Sequence, residues 1–215
     1  MFIAYVGKER CDIAYYIARI SGALNEKTLL VDNSKSGDLY RSLTEDEITY
    51  AEKFREFSSF TVTRNLKVSE KELEAFDNVI LYNGLSQFSE PYEVSPEHIY
   101  IAVSLNKLEI KDAKASIDAA GFNLKEDCRV TLVLEDLVNP KFSIEEVAET
   151  FGVLPEAAFA LPLDETVHMK YEMLMKNGIV SMRKSSSDMN ELIKDAITRV
   201  FLVDKKRMNK LVAGL

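Results

Sequence analysis

The 215-residue sequence predicts an α/β fold, a three-layer α/β/α arrangement on a mainly parallel sheet of about seven strands. Two observations predict it. Short β-rich runs alternate with helix-period segments along the whole chain, which implies βαβ crossovers. Several of those runs, FIAYV, TLLVD, NVILY and VTLVL, are apolar at every position rather than at alternate ones. That pattern suits strands covered by helices on both faces.

The strands expected are Phe2 to Val6, Thr28 to Asp32, Asn78 to Asn83, Ile99 to Ser104, Arg129 to Leu134 and Ala157 to Leu163, with a weaker one at Phe60 to Thr63. A first helix follows from Asp12, its expected N-cap, with Ile13, Ile17, Ile20 and Leu24 forming one apolar stripe. From Thr44, the spacing of Ile48, Ala51 and Phe54 predicts a second helix with acidic residues in its first turn. Ser143-Ile-Glu-Glu is a capping-box pattern, opening a short helix that ends near Gly152. Ser187 or Asp188 opens a last long helix with Leu192, Ala196, Val200 and Val203 on one face. No linker, repeat or low-complexity tract divides the chain, so residues 1–215 read as a single domain.

Composition narrows the function. A net charge of −8 argues against a general nucleic-acid binder, which needs clustered Lys and Arg to neutralise phosphates. Two cysteines, Cys11 and Cys128, and two histidines, His98 and His168, have no metal-ligand spacing, so no metal site is expected. The sequence start lacks the pattern of a signal peptide, and no run approaches the roughly 18 apolar residues that span a bilayer. A cytoplasmic location is therefore expected.

In an open α/β sheet, ligands bind at the carboxyl ends of the strands, which directs attention to the first strand–loop–helix. The loop is Gly7-Lys8-Glu9-Arg10-Cys11. A phosphate cradle needs several glycines, a Lys for the β/γ phosphates and a Ser or Thr for magnesium. This loop has one glycine, and Glu9 would repel a phosphate.

The order of elements resembles the MinD/ParA group of deviant Walker A ATPases, especially the MinD-like domain of the TadZ/CpaE pilus-localisation proteins. Ala14-Tyr-Tyr-Ile-Ala-Arg-Ile with Lys27-Thr-Leu-Leu-Val-Asp-Asn is similar to the family's first helix and "VLLVDxD" strand. Glu74-Ala-Phe-Asp-Asn-Val-Ile-Leu-Tyr resembles its "YDxVIID" strand, Ile99 to Ile117 the next strand and helix, and Val130 to Gly152 the strand, loop and helix after those. Phe159-Ala-Leu-Pro-Leu-Asp-Glu resembles the late "iPxD" strand, and Lys176-Asn-Gly-Ile-Val the segment beyond it. The resemblance implies a P-loop NTPase-like fold, covers nearly the whole chain, and brings the departures into focus. Gly7 and Lys8 echo the family's early Gly-Lys pair, but the later glycines are absent. Arg10 falls near the position of the late Lys and Cys11 near the Thr, and a thiol is a poor ligand for hard Mg²⁺. Tyr82 stands where the family has Asp, and Glu135 or Asp136 where it has an Asn near the adenine. Asp32 is retained.

These departures imply a P-loop fold without a working phosphate loop: a non-catalytic interaction or scaffold protein with no cofactor, in bacterial pilus or secretion assembly or polar localisation. The alternative is a divergent nucleotide-binding ATPase using Lys8, Arg10 and Asp32, for which ATP and Mg²⁺ would be cofactors. A third reading is an unrelated doubly wound protein, and membership of the Ala157 to Leu163 strand in the same parallel sheet discriminates against it.

Interaction surfaces are expected in two places. Phe88 and Tyr92 follow the Tyr82 strand as exposed-looking aromatics, in a region that contributes dimer contacts in the family. The C-terminal residues from about 201 to 215 carry Lys205, Lys206, Arg207 and Lys210, with Phe201, Met208, Leu211, Val212 and Leu215 on one helical face. A basic amphipathic helix docks on a partner, on anionic membrane at the inner face of the cell membrane, or on its own domain. Protein partners and a homodimer are accordingly expected. Cys11 beside Arg10 is a candidate reactive thiol or a plain loop residue, His168 a surface histidine able to face Glu165 or Glu172, and Cys128 structural.

Overall fold

A computed structural model describes residues 1–8, 10–44, 54–85, 91–124, 128–137, 144–181 and 185–214. Its strands are β1 (Phe2–Gly7), β2 (Thr28–Asp32), β3 (Arg55–Phe57), β4 (Phe60–Arg64), β5 (Asn78–Gly84), β6 (His98–Val103), β7 (Arg129–Leu137) and β8 (Ala157–Pro162). They form one sheet of 8 strands in the order β3-β4-β2-β5-β1-β6-β7-β8. All neighbours are parallel except β3 and β4, which form an antiparallel hairpin at one edge. The expectation of seven strands missed β3. This strand has only three residues, two of them exposed, so no apolar run marks it.

The continuous apolar runs are explained by the two faces. On β1, Ile3 and Tyr5 enter one core while Phe2, Ala4 and Val6 enter the other. On β5, Ile80 and Tyr82 alternate in the same way with Val79 and Leu81. Helices α1 (Cys11–Ala23), α2 (Asp38–Thr44), α6 (Glu165–Asn177), α7 (Ser187–Asp195) and α8 (Lys205–Gly214) bury side chains in the first core. Helices α4 (Lys107–Ala120) and α5 (Ile144–Phe151) bury theirs in the second, and Leu73 of α3 (Glu70–Ala75) packs on it.

Helix boundaries differ from expectation for local reasons. Helix α1 starts at Cys11, and Asp12 does not cap it, because its carboxylate is engaged by Arg10. The helix expected from Thr44 falls largely outside the described residues, as does Ser143; α5 ends at Phe151, just before Gly152 with its φ of +67°. Ser186 caps α7, its Oγ accepting from Met189 N–H at 3.2 Å. The expected long C-terminal helix is interrupted. A π-helical turn spans Ala196–Val200, Leu202 takes a positive φ of 53°, and Asp204 restarts the chain as α8 by accepting from the N–H groups of Lys206 and Arg207. Leu192, Ala196, Val200 and Val203 are buried throughout this interruption.

Candidate functional site

Strand β1 lies between β5 and β6, and the chain winds from it toward β2 on one side and toward β7 and β8 on the other. That switch point places the loop after β1 between the carboxyl ends of β5 and β6, within reach of β7. Gly7 is required there: its φ is +133°, and a Cβ would lie 1.8 Å from the Ala102 carbonyl oxygen.

The loop spends its polar groups internally. Lys8 N–H donates to the Ala102 carbonyl at 2.7 Å and Arg10 N–H to the Lys8 carbonyl at 2.7 Å. The Arg10 guanidinium forks onto Asp12, Nε to Oδ1 at 3.0 Å and Nη2 to Oδ2 at 2.8 Å, and Nη1 lies 3.6 Å from Glu135 Oε2. Lys8 pairs with Asp136. The Tyr5 hydroxyl lies 2.9 Å from the Lys8 carbonyl and 3.2 Å from Glu135 Oε1, joining the loop to β7. A break in the β7–β8 register between Leu134 and Leu137, with Asp136 at φ +54°, lets adjacent acids serve different cations.

Burial governs the electrostatics. Glu135 is fully buried and its pKa is pushed up to about 8, chiefly by desolvation, with Asp12 adding to the rise and Arg10, Lys8 and Tyr5 opposing it. Desolvation works against the Arg10 charge, yet Asp12 and Glu135 outweigh it and raise the guanidinium pKa. Burial also lifts the Tyr5 phenol and the Cys11 thiol well above their ordinary values. A thiol held neutral in this way is a poor nucleophile, which removes the reactive-cysteine reading.

The other expected positions are placed as follows. Asp32 is buried, its Oδ1 accepting from Ser34 N–H at 2.9 Å and Ser34 Oγ at 2.5 Å, its Oδ2 from Tyr40 N–H at 2.9 Å. It organises the turn into α2, and burial raises its pKa. Tyr82 is buried, with its ring centroid 5.5 Å from that of Tyr5. Phe88 lies outside the described residues. Tyr92 corrects the expectation of an exposed aromatic: it packs on Phe2 and Phe122 and its hydroxyl accepts from Asn33 Nδ2 at 2.6 Å, so it covers the second core. In α8, Lys206, Arg207 and Lys210 are exposed, while Met208 is buried and Leu211 packs on the first core with Phe201. Lys205 is the first residue of α8. His168 is exposed and faces Glu172 at 3.4 Å. Among the described residues no cluster suits a metal ion and no helix is long and apolar enough to cross a membrane.

Sequence reasoning missed the Tyr5–Glu135 and Lys8–Asp136 contacts. The signal available was a pair of acids ending an apolar strand.

No protein-family description and no curated protein matches the sequence. Solved structures do match over nearly the whole chain. A chain of the MinC:MinD cell division protein complex of Aquifex aeolicus superposes with a TM-score of 0.63 at 13% identity, over 94% of this chain and 96% of that one. A ParA family ATPase of Chlorobium tepidum gives 0.58 at 13% identity, over 91% and 97%. MinD of Pyrococcus horikoshii, complexed with Mg-ADP, gives 0.55 at 14% identity, over 96% of each. The fold is that of the MinD and ParA ATPases.

Strand β8, corresponding to the expected Ala157 to Leu163 strand, lies in the same parallel sheet, as this MinD/ParA fold requires and the unrelated doubly wound reading does not. Identities this low carry the fold alone. At the sheet's carboxyl end, the two positions expected to carry a magnesium-binding hydroxyl and a strand-end carboxylate hold Cys11 and Tyr82. A buried neutral thiol at Cys11 and a buried phenol at Tyr82 offer hard Mg²⁺ no carboxylate or alcohol, and Lys8 and Arg10 already face Asp12, Glu135 and Asp136.

Proposed function

We propose that this chain is a MinD/ParA-fold protein that acts by binding other proteins rather than by turning over ATP. The observation that supports this reading is the first loop, in which Lys8 is paired with Asp136 and Arg10 with Asp12 of the same chain. Phosphoryl transfer depends on positioning and on charge neutralisation by Lys and Mg²⁺. A phosphate entering this loop would have to displace Asp12 from Arg10 and would meet its negative charge.

The fold's usual nucleotide end is thereby a fixed surface, suited to a scaffold in pilus or secretion assembly or in polar localisation, the setting suggested by the resemblance to TadZ/CpaE proteins. The basic exposed face of α8 adds a second contact surface for an acidic partner, with peripheral membrane contact its lipid counterpart.

Calorimetry with ATP and ADP in the presence of Mg²⁺, on the full chain, tests the reading. Absence of binding heat and of thermal stabilisation is the expected result. Micromolar binding that is lost on Lys8→Ala or Arg10→Ala would replace it with a divergent ATPase.

A further inference from the structure

Helix α6 has apolar groups on both its sides. Val167, Lys170 and Leu174 are buried on the inward side, with Val167 and Leu174 in the first core. On the outward side Glu165, Met169, Met173 and Lys176 recur every three or four residues, so they form one stripe along the helix, and all four are exposed. Met169 is 51% exposed and Met173 44%, and the segments flanking the helix add Leu163 and Ile179. Half of the large apolar side chains exposed among the described residues therefore belong to α6 and its flanks, where an outward helix face is ordinarily polar. Neither Glu165 nor Lys176 has an ion-pair partner among the described residues. His168 and Glu172, 3.4 Å apart, border the stripe.

We propose that the outward face of α6 is the interface of a two-fold dimer of this chain, with the two copies of the helix packed antiparallel. The order of residues along the stripe selects a second copy as the occupant. It runs acid, methionine, methionine, base, and the charged pair and the methionine pair share a midpoint to within about 1 Å along the helix axis. A two-fold axis through that point sets Glu165 of each copy against Lys176 of the other at both ends, and gathers the four methionines between them. Parallel helices would oppose like charges instead. Methionine is unbranched and adaptable, so these side chains can interdigitate at the about 8–10 Å that separates packed helix axes. One helix face with Leu163 and Ile179 at its margins is small beside a standard interface, so the association is weak and concentration-dependent. None of these residues belongs to the first loop, and the dimer stands independently of whether that loop binds a nucleotide.

Sedimentation velocity and light scattering on the full chain, without nucleotide and over a concentration series, test it. The mass should rise reversibly toward that of two chains. Met169→Lys with Met173→Lys gathers four cations at the joint and should return the mass to that of one chain, with the circular dichroism spectrum unchanged. Glu165→Lys and Lys176→Glu each turn two attractions into repulsions and should each raise the dissociation constant at least about fivefold. Combining them exchanges the two charges and should restore the parental value, since every new cation then meets a new anion on the other copy. Arg55→Ala, on β3, should leave the mass unchanged. A monomer at every concentration, a dimer that forms only with ATP, a dimer indifferent to the methionine variant, or a charge exchange no better than its single variants would each overturn the proposal.

Discussion

Arg10 Nη1 lies 3.6 Å from Glu135 Oε2, and that oxygen has no hydrogen-bond partner among the described residues. A fully buried carboxyl group is thus paired on one side by a tyrosine hydroxyl and on the other by an incompletely engaged guanidinium. Its proton is retained to about pH 8, and the stability of the fold becomes coupled to pH through this one residue.

The sign of that coupling is fixed. Glu135 has a higher pKa folded than unfolded, so the native state binds more protons between the ordinary glutamate range and about pH 8. Stability from this group therefore falls as pH rises through that window and levels off above it. Glu135→Gln mimics the protonated side chain and removes the dependence. Thermal melts from pH 5 to 9 should give a variant nearly equal to the parent at pH 5 and more stable by at least about 2 kcal/mol at pH 8. A difference that stays flat with pH would sink the assignment.

Arg10 is a structural cation here, and its removal should be felt without any ligand. Arg10→Ala leaves the buried carboxylate of Asp12 unpaired and should cost roughly 3 kcal/mol in urea unfolding. Replacing both partners by apolar residues, Arg10→Met with Asp12→Leu, should recover most of that loss, because neither charge is then stranded. A single variant of parental stability would place Arg10 in solvent instead.

Gly7 combines a left-handed φ with backbone contact, so the smallest substitution suffices. Gly7→Ala puts a methyl group against the Ala102 carbonyl, which belongs to β6 and cannot rotate away. Loss of roughly 3 kcal/mol or failure to accumulate as folded protein is expected. A soluble variant with an unchanged melting temperature would contradict the close approach of β1 to β6.

Six of the seven longer strands were legible because each is a largely apolar run that supplies alternate side chains to two cores, as β1 and β5 do, while β4 showed only Phe60 and Val62 alternating with threonines. Strand β3 was not, because a three-residue hairpin arm at an edge needs neither run nor alternation. The departures at Arg10, Cys11 and Tyr82 were legible as residue types, since hard-metal and phosphate chemistry demands particular side chains. What they face was not. Glu135 and Asp136 approach the first loop through a break in strand register, and Asp12 turned from an expected cap into a salt-bridge partner. Tyr92 read as exposed because its neighbours in sequence are polar, although Phe2 and Phe122 receive its ring. Such contacts lie across 30 residues or more of chain or depend on a local backbone twist, and periodicity carries no trace of either.

The C-terminal helix offers the clearest division between docking on the domain and reserving an apolar face for a partner or membrane. Met208 is only 6% exposed and joins the first core beneath a helix whose outward side carries Lys206, Arg207 and Lys210. Met208→Ala should therefore cost about 2 kcal/mol in denaturant unfolding of the isolated protein, the low end for truncating a buried methionine. Reversing the outward charges, Lys206→Glu with Lys210→Glu, should leave that stability within about 0.5 kcal/mol while abolishing any salt-sensitive binding to acidic partners or anionic vesicles. If instead the methionine variant unfolds like the parent, the helix spends its time off the domain, and its apolar side becomes the contact surface.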